Sequence, residues 1–179
     1  MLVYKKKCQQ NPVPTFRKIF LPRRTVHPDK RQFVPVDTAR TIMRRAGHIQ
    51  DKAIHMLLAK SGLRREELLI LQEKDLILKD WMIWAPVTGK RLEFRPIFLD
   101  DELMCTMLDF LDWRDEYAKS DHLFVSPSTG GQLHKDYPGK YLLRRVGMEL
   151  GIHVPQGQMD ERLTPHCWRW SFTTWIIYS

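Results

Sequence analysis

Cysteine is scarce in this 179-residue chain: Cys8, Cys105 and Cys167 form an odd, scattered set with no Cys-x-x-Cys pair. That pattern argues against a disulfide framework and against a zinc site, and it predicts reduced thiols in a cytoplasm. Long apolar runs are missing too; none reaches the roughly 18 residues that a membrane span needs. The start, Met1-Leu-Val-Tyr-Lys5-Lys-Lys7, sets its charges after its apolar residues, the reverse of a signal peptide. There is no glycine-rich phosphate loop and no carboxylate cluster suited to magnesium, so neither a nucleotide nor a metal is expected as cofactor. Internal repeats and low-complexity segments are absent as well.

What remains is a globular composition, 43% hydrophobic and 11% aromatic, in a length that makes one domain with a genuine core. The formal charge of +8 is unevenly spread. Residues 1–31 hold nine basic side chains (Lys5, Lys6, Lys7, Arg17, Lys18, Arg23, Arg24, Lys30 and Arg31) against the single acid Asp29, so the rest of the chain is balanced. Pro12, Pro14, Pro22 and Pro28 punctuate this stretch and predict an extended arm over 1–31, joined to a folded domain over 32–179. Such an arm can track nucleic-acid phosphates, releasing counterions as it binds, or serve only as a solvated tail.

Within the domain the periodicity predicts a first helix from Asp37 or Thr38 that ends at Gly47. A second runs from about Gln50 to Lys60, Gly62 breaks it, and helix resumes over Arg64–Leu71. The period then shortens: Asp75–Leu78, Trp81–Ala85 and Arg91–Phe98 read as three short strands. Asp100 or Asp101 caps a long helix to about Ala118, with Leu103, Met104, Met107, Leu108 and Leu111 as its buried stripe. Tyr141–Leu150 is another helix, closed by Gly151. The fold class is therefore α+β and mostly helical, with a small three-stranded antiparallel sheet. Lys135, Lys140, Arg144 and Arg145 either touch a nucleic-acid backbone or keep their face soluble.

Two stretches carry chemistry. Leu163-Thr-Pro-His166-Cys-Trp-Arg169-Trp-Ser-Phe-Thr-Thr-Trp175 opens a helix at Pro165, with Thr164 as a reasonable cap. His166, Arg169 and Thr173 share one face, while Trp168, Phe172, Trp175 and Ile176 form an apolar stripe opposite. An imidazole and a guanidinium beside a helix N-terminus favour an anion such as phosphate. Taken alone, such a pair is more often a packing histidine and a surface charge. About a hundred residues earlier stands Lys60-Ser-Gly-Leu-Arg64-Arg-Glu-Glu67-Leu-Leu, where the Gly62 break lets Arg64 leave the line of the preceding helix and point into a cleft.

Together these stretches resemble the tyrosine recombinase, or phage integrase, family. Its Gly-Leu-Arg-x-x-Glu-Leu and Thr-Pro-His-x-x-Arg segments stand here in the right order, and His-Cys-x-Arg after Thr-Pro resembles archaeal or archaeal-virus members. The resemblance implies a catalytic domain in which Arg64 and Arg169 neutralise a scissile phosphate, His166 assists proton transfer and Glu67 orients the histidine or an arginine. Counting back from Arg95-Pro-Ile-Phe-Leu99 places the family's catalytic lysine, in the turn between strands two and three, on Lys90. Arg91 replaces the usual glycine after it and is the rival. Arg65 and Arg91 join the arm as candidate DNA contacts.

The implied reaction is site-specific DNA recombination or integration through a 3′-phosphotyrosyl link, with no metal or cofactor and with double-stranded DNA as partner. Tyr178, the only tyrosine after Arg169, falls about two and a half turns beyond it and is read as packing. The chain is thus expected to bind DNA but to end before the nucleophile, a monomer in solution whose full-length form assembles on DNA in a prokaryotic cytoplasm. The alternatives are a non-catalytic DNA-binding protein or regulator with an integrase-like fold, and a type IB topoisomerase-like enzyme.

Overall fold

Every turn of the helix Ile49–Ser61 (α2) is buried on several sides, with Ala53, Ile54, His55, Met56, Leu57 and Leu58 all inaccessible to water. A helix covered on most of its sides belongs at the centre of a domain, and its neighbours pack on it. The structure, a computed structural model, describes residues 32–87, 93–158 and 161–178, apart from the side chains of Tyr141, Ile176, Ile177 and Tyr178. The basic arm, Lys90, Arg91 and the reading of Tyr178 as a packing side chain lie outside the described residues. Among the described residues no helix is long and apolar enough to cross a membrane.

The first helix is Val36–Arg44 (α1), one turn shorter at its end than the Gly47 stop predicts. Its last turn tightens into three-residue bonds, Arg45 N–H to the Ile42 carbonyl and Ala46 N–H to that of Met43, so the chain leaves before the glycine. Its start rests on Pro35 rather than on Asp37 or Thr38, with no side-chain cap. α2 opens on His48, whose Nδ1 accepts from Gln50 N–H at 3.1 Å, and closes on Gly62 at φ 60°. The short helix Arg65–Ile70 (α3) follows.

Strands Leu76–Ile77 (β1), Met82–Pro86 (β2) and Phe94–Phe98 (β3) form an antiparallel sheet in the order β1-β2-β3. β2 and β3 pair in the register Met82 with Phe98, Trp84 with Pro96 and Pro86 with Phe94. Ile83, Ala85, Arg95 and Ile97 consequently face the helices, and the outer face carries Met82, Trp84, Pro86, Phe94, Pro96 and Phe98.

Helix Asp101–Tyr117 (α4) is capped by the Asp100 carboxylate, which accepts from Leu103 N–H at 2.9 Å. Leu103, Met104, Met107 and Phe110 are buried, but Leu108, expected in that stripe, is 43% exposed. The inward line instead continues from Phe110 to Arg114, which is 3% exposed. The Arg114 guanidinium donates to the carbonyls of Ser120, His122 and Leu123 and pairs with Glu73 at 2.8 Å, tying the segment after α4 to the body.

The helix predicted over Tyr141–Leu150 begins earlier, as a π-helical turn Gly139–Leu143 that runs into Arg144–Glu149 (α5). The last helix, Pro165–Tyr178 (α6), packs along α2. Trp168 is fully buried and donates its indole N–H to His55 Nδ1 at 3.1 Å, while the buried Ser171 hydroxyl accepts from Val34 N–H at 2.9 Å.

Candidate active site

The site is assembled where α2 stops. Gly62 takes the left-handed conformation that caps a helix, a backbone region costly for residues with a Cβ. A Cβ there would also lie 2.5 Å from Phe172 Cδ1, so α6 sits against this turn because the residue is glycine. The Gly62 carbonyl accepts a hydrogen bond from Arg169 Nη1 at 2.6 Å. One turn of backbone therefore sets where α6 lies and where its arginine points.

Two residues on, Arg64 is the N-cap of α3 in an extended conformation. Its backbone N–H donates to Glu67 Oε2 at 2.9 Å and its Nη1 to Glu67 Oε1 at 2.7 Å. Glu67 is no surface charge: its side chain is wholly buried, and Arg95 Nη2 reaches Oε2 from β3 at 3.1 Å. Burial alone would push the Glu67 carboxyl up. The Arg64 hydrogen bonds and the charges of Arg95 and Arg64 overcome that, and they hold it below the ordinary glutamate range.

Arg169 completes the corner. Burial and then the charges of Arg64 and Arg95 lower its pKa, with the charge of Glu67 opposing, and its bond to the Gly62 carbonyl sets it beside the turn that leads into Arg64. An arginine remains charged under such a shift. The corner therefore gathers fixed donors and excess positive charge, the arrangement that receives a phosphate.

His166 lies in the first turn of α6, exposed, on a hollow of about 460 Å³ that it shares with Arg65, Lys140, Arg144 and Thr164. Thr164 turns its backbone N–H, 3.3 Å away, onto Cys167 Sγ, which itself donates to the Arg162 carbonyl. Cys167 is buried in that turn and is not presented beside His166. Arg65 points away from Arg64: it binds Glu66 at 2.8 Å and approaches Asp136 to 4.0 Å. The Arg65 hydrogen bond, aided by the backbone and by the charges of Arg65 and His166, lowers the Glu66 pKa.

Of the residues singled out from sequence, the structure thus brings Arg64, Glu67 and Arg169 into one corner, with His166 one turn before Arg169 on the same helix. Arg65 lines the neighbouring hollow instead. Sequence reasoning missed Arg95 as a member of the corner. Its signal was present: in a strand it must share a face with Ile97, the buried position, and a charge on a buried face needs a partner.

Residues 32–179 match the description Phage integrase family, and the chain belongs to that family. Its structure is similar to that of the XerA recombinase, with 25% identity and a TM-score of 0.68 over 81% of this chain and 50% of that one. It also resembles the XerH site-specific recombinase bound to difH substrate, at 19% identity and TM-score 0.65, covering 82% of this chain and 43% of that one. A lambda integrase dimer bound to a COC′ core site matches at 17% identity and TM-score 0.57, over 79% and 39%. The chain spans about half or less of the length of these proteins. No curated protein sequence matches it. The mostly helical, three-stranded fold is that of a tyrosine recombinase catalytic domain.

Proposed function

We propose that this domain cuts and rejoins DNA at a specific site through a 3′-phosphotyrosyl intermediate. The observation that carries this reading is the convergence of Arg64 and Arg169, from helices far apart in sequence, on the Gly62 turn and the buried Glu67 that follows it. A phosphodiester repels nucleophiles, and it gains negative charge on its equatorial oxygens as the new bond forms. Two guanidiniums held before substrate arrives neutralise that charge without reorganising. His166 moves a proton at the nucleophile or the phosphate. Lys90, with Arg91 as its rival, protonates the departing 5′-oxygen. The covalent link conserves the bond energy for rejoining by another strand's 5′-hydroxyl.

The substrate is double-stranded DNA; DNA is the ligand named for the Tn1549 transposon integrase, and lambda integrase is a dimer on its core site. The arm over 1–31, Arg65 and Arg91 contribute salt-sensitive phosphate contacts outside the corner. Tyr178 is not taken as the nucleophile, because helical periodicity alone sets it nine residues, about two and a half turns, beyond Arg169. This chain by itself accordingly binds DNA as a monomer without cutting it, and the protein assembles on DNA.

The test is a suicide duplex carrying the cognate site, offered to this chain and to the protein at the full length of its gene. Covalent adduct from the gene-length protein alone is expected. Adduct from the 179-residue chain would overturn the exclusion of Tyr178. No adduct from either, with salt-sensitive binding intact, would replace the reading with a non-catalytic DNA-binding protein.

A further inference from the structure

Arg64 is held by a carboxylate, and a carboxylate beside a phosphate-binding arginine works against it. Glu67 is buried and ionised, and at 2.7 Å from Arg64 Nη1 it would cancel most of the charge that Arg64 offers to an anion. An uncompensated buried charge is also costly in itself. Yet both hydrogen bonds that Arg64 donates among the described residues run to Glu67: one oxygen takes its guanidinium and the other its backbone N–H. The acid is needed for geometry and harmful for charge.

The sheet resolves this conflict. β3 turns Arg95 inward, paired across the strand with Ala85, whose small side chain leaves room, and delivers Arg95 Nη2 to Glu67 Oε2 at 3.1 Å. We propose that Arg95 is a positioning residue of the phosphate site: as the counterion of Glu67 it lets that carboxylate hold Arg64 in place without cancelling the charge Arg64 presents to DNA. The inference rests on reading this corner as the scissile-phosphate site.

The charge count makes it specific. Among the described residues, Arg64, Arg95 and Arg169 against Glu67 leave two net positive charges in the corner, matching a phosphodiester that passes from one negative charge toward two as it is attacked. Without Arg95 the net charge falls to one. Arg95 itself is only 36% exposed in its side chain, and its Nε–H is buried without an acceptor among the described residues, so a direct contact with the anion is the rival role.

The experiment uses the 179-residue chain and inorganic phosphate, followed by titration calorimetry at low ionic strength, with urea midpoints recorded for each variant. Wild-type should bind. Arg95→Met should bind phosphate at least about tenfold more weakly. The double variant Glu67→Gln/Arg95→Met restores two net positive charges and removes the stranded buried acid, so it should recover to within about threefold of wild-type. Recovery in the double variant separates a counterion from a mere packing role, which charge restoration would not repair. Wild-type binding with Arg95→Met unchanged overturns the inference and leaves the site intact. A double variant no better than Arg95→Met overturns it in favour of direct contact. Failure of wild-type itself to bind phosphate overturns both the inference and the reading beneath it.

Discussion

The Arg169 guanidinium donates to the carbonyl of Gly62 at 2.6 Å, across 107 positions of sequence. Through this bond the end of one helix orients the arginine of another, and Phe172, three residues along, closes against the same glycine. The corner's geometry is thus stored in a residue that has no side chain.

Gly62→Ala is accordingly expected to lose more than a surface alanine substitution would. The left-handed backbone costs about 1–2 kcal/mol for a residue with a Cβ, and displacing the Phe172 ring adds overpacking of about 1–3 kcal/mol. The readout is a urea midpoint together with phosphate binding. Both should fall, because the shift that relieves Phe172 also moves Arg169. Unchanged phosphate binding in a destabilised variant would separate the two roles.

His55 sets a pH dependence of folding. Burial lowers its pKa from 6.5 to about 3, and its neutral Nδ1 accepts from the Trp168 indole. The unfolded chain therefore takes up this proton at higher pH than the folded one. Stability is present above 6.5 and is lost as pH falls from 6.5 toward about 3, by up to about 1.4 kcal/mol per pH unit. His153, also lowered by burial, adds a smaller share of the same sign, and subtraction of two curves removes it. His55→Asn keeps an acceptor and cannot titrate, so its unfolding free energy should fall less steeply between pH 6 and pH 4.5 than that of wild-type. Parallel curves would remove His55 from the account.

Arg114→Met should destabilise the domain by about 2–4 kcal/mol, since it leaves the carbonyls bound by this guanidinium without their donor. Arg114→Lys should recover little, because an ammonium lacks the planar fork that spans three carbonyls. Chemical denaturation measures both. Phosphate binding by the residual folded protein should be unaffected, as Arg114 lies apart from the corner.

Much of this arrangement was legible in the sequence. Glycine at 62 announced the break before Arg64, Asp100 its helix cap, and the alternation over 75–98 the three strands. The failures turn on contacts made far along the chain, although for Arg95 the alternation with Ile97 carried a local signal as well. Leu108 looks like core by spacing, but the inward line passes through Phe110 to Arg114, whose burial is made by carbonyls of the segment that follows the helix. Arg95 stands between Phe94 and Pro96, and polarity alone would turn the phenylalanines inward and the arginine out. The reverse holds because Glu67, 28 residues earlier, is buried behind the sheet and needs the charge. Phe98 is left 75% exposed as a result.

The central claim is that Arg64 and Arg169 act on the scissile phosphate rather than on DNA affinity at large. The most direct test is single-turnover cleavage of the suicide duplex by the gene-length protein with Arg64→Lys or Arg169→Lys, alongside DNA dissociation constants at fixed salt. A lysine keeps the charge but loses the paired hydrogen bonds, so cleavage should slow by about a hundredfold or more while the dissociation constant changes by less than about threefold. Equal losses in affinity and cleavage, or cleavage at the wild-type rate, would contradict the account.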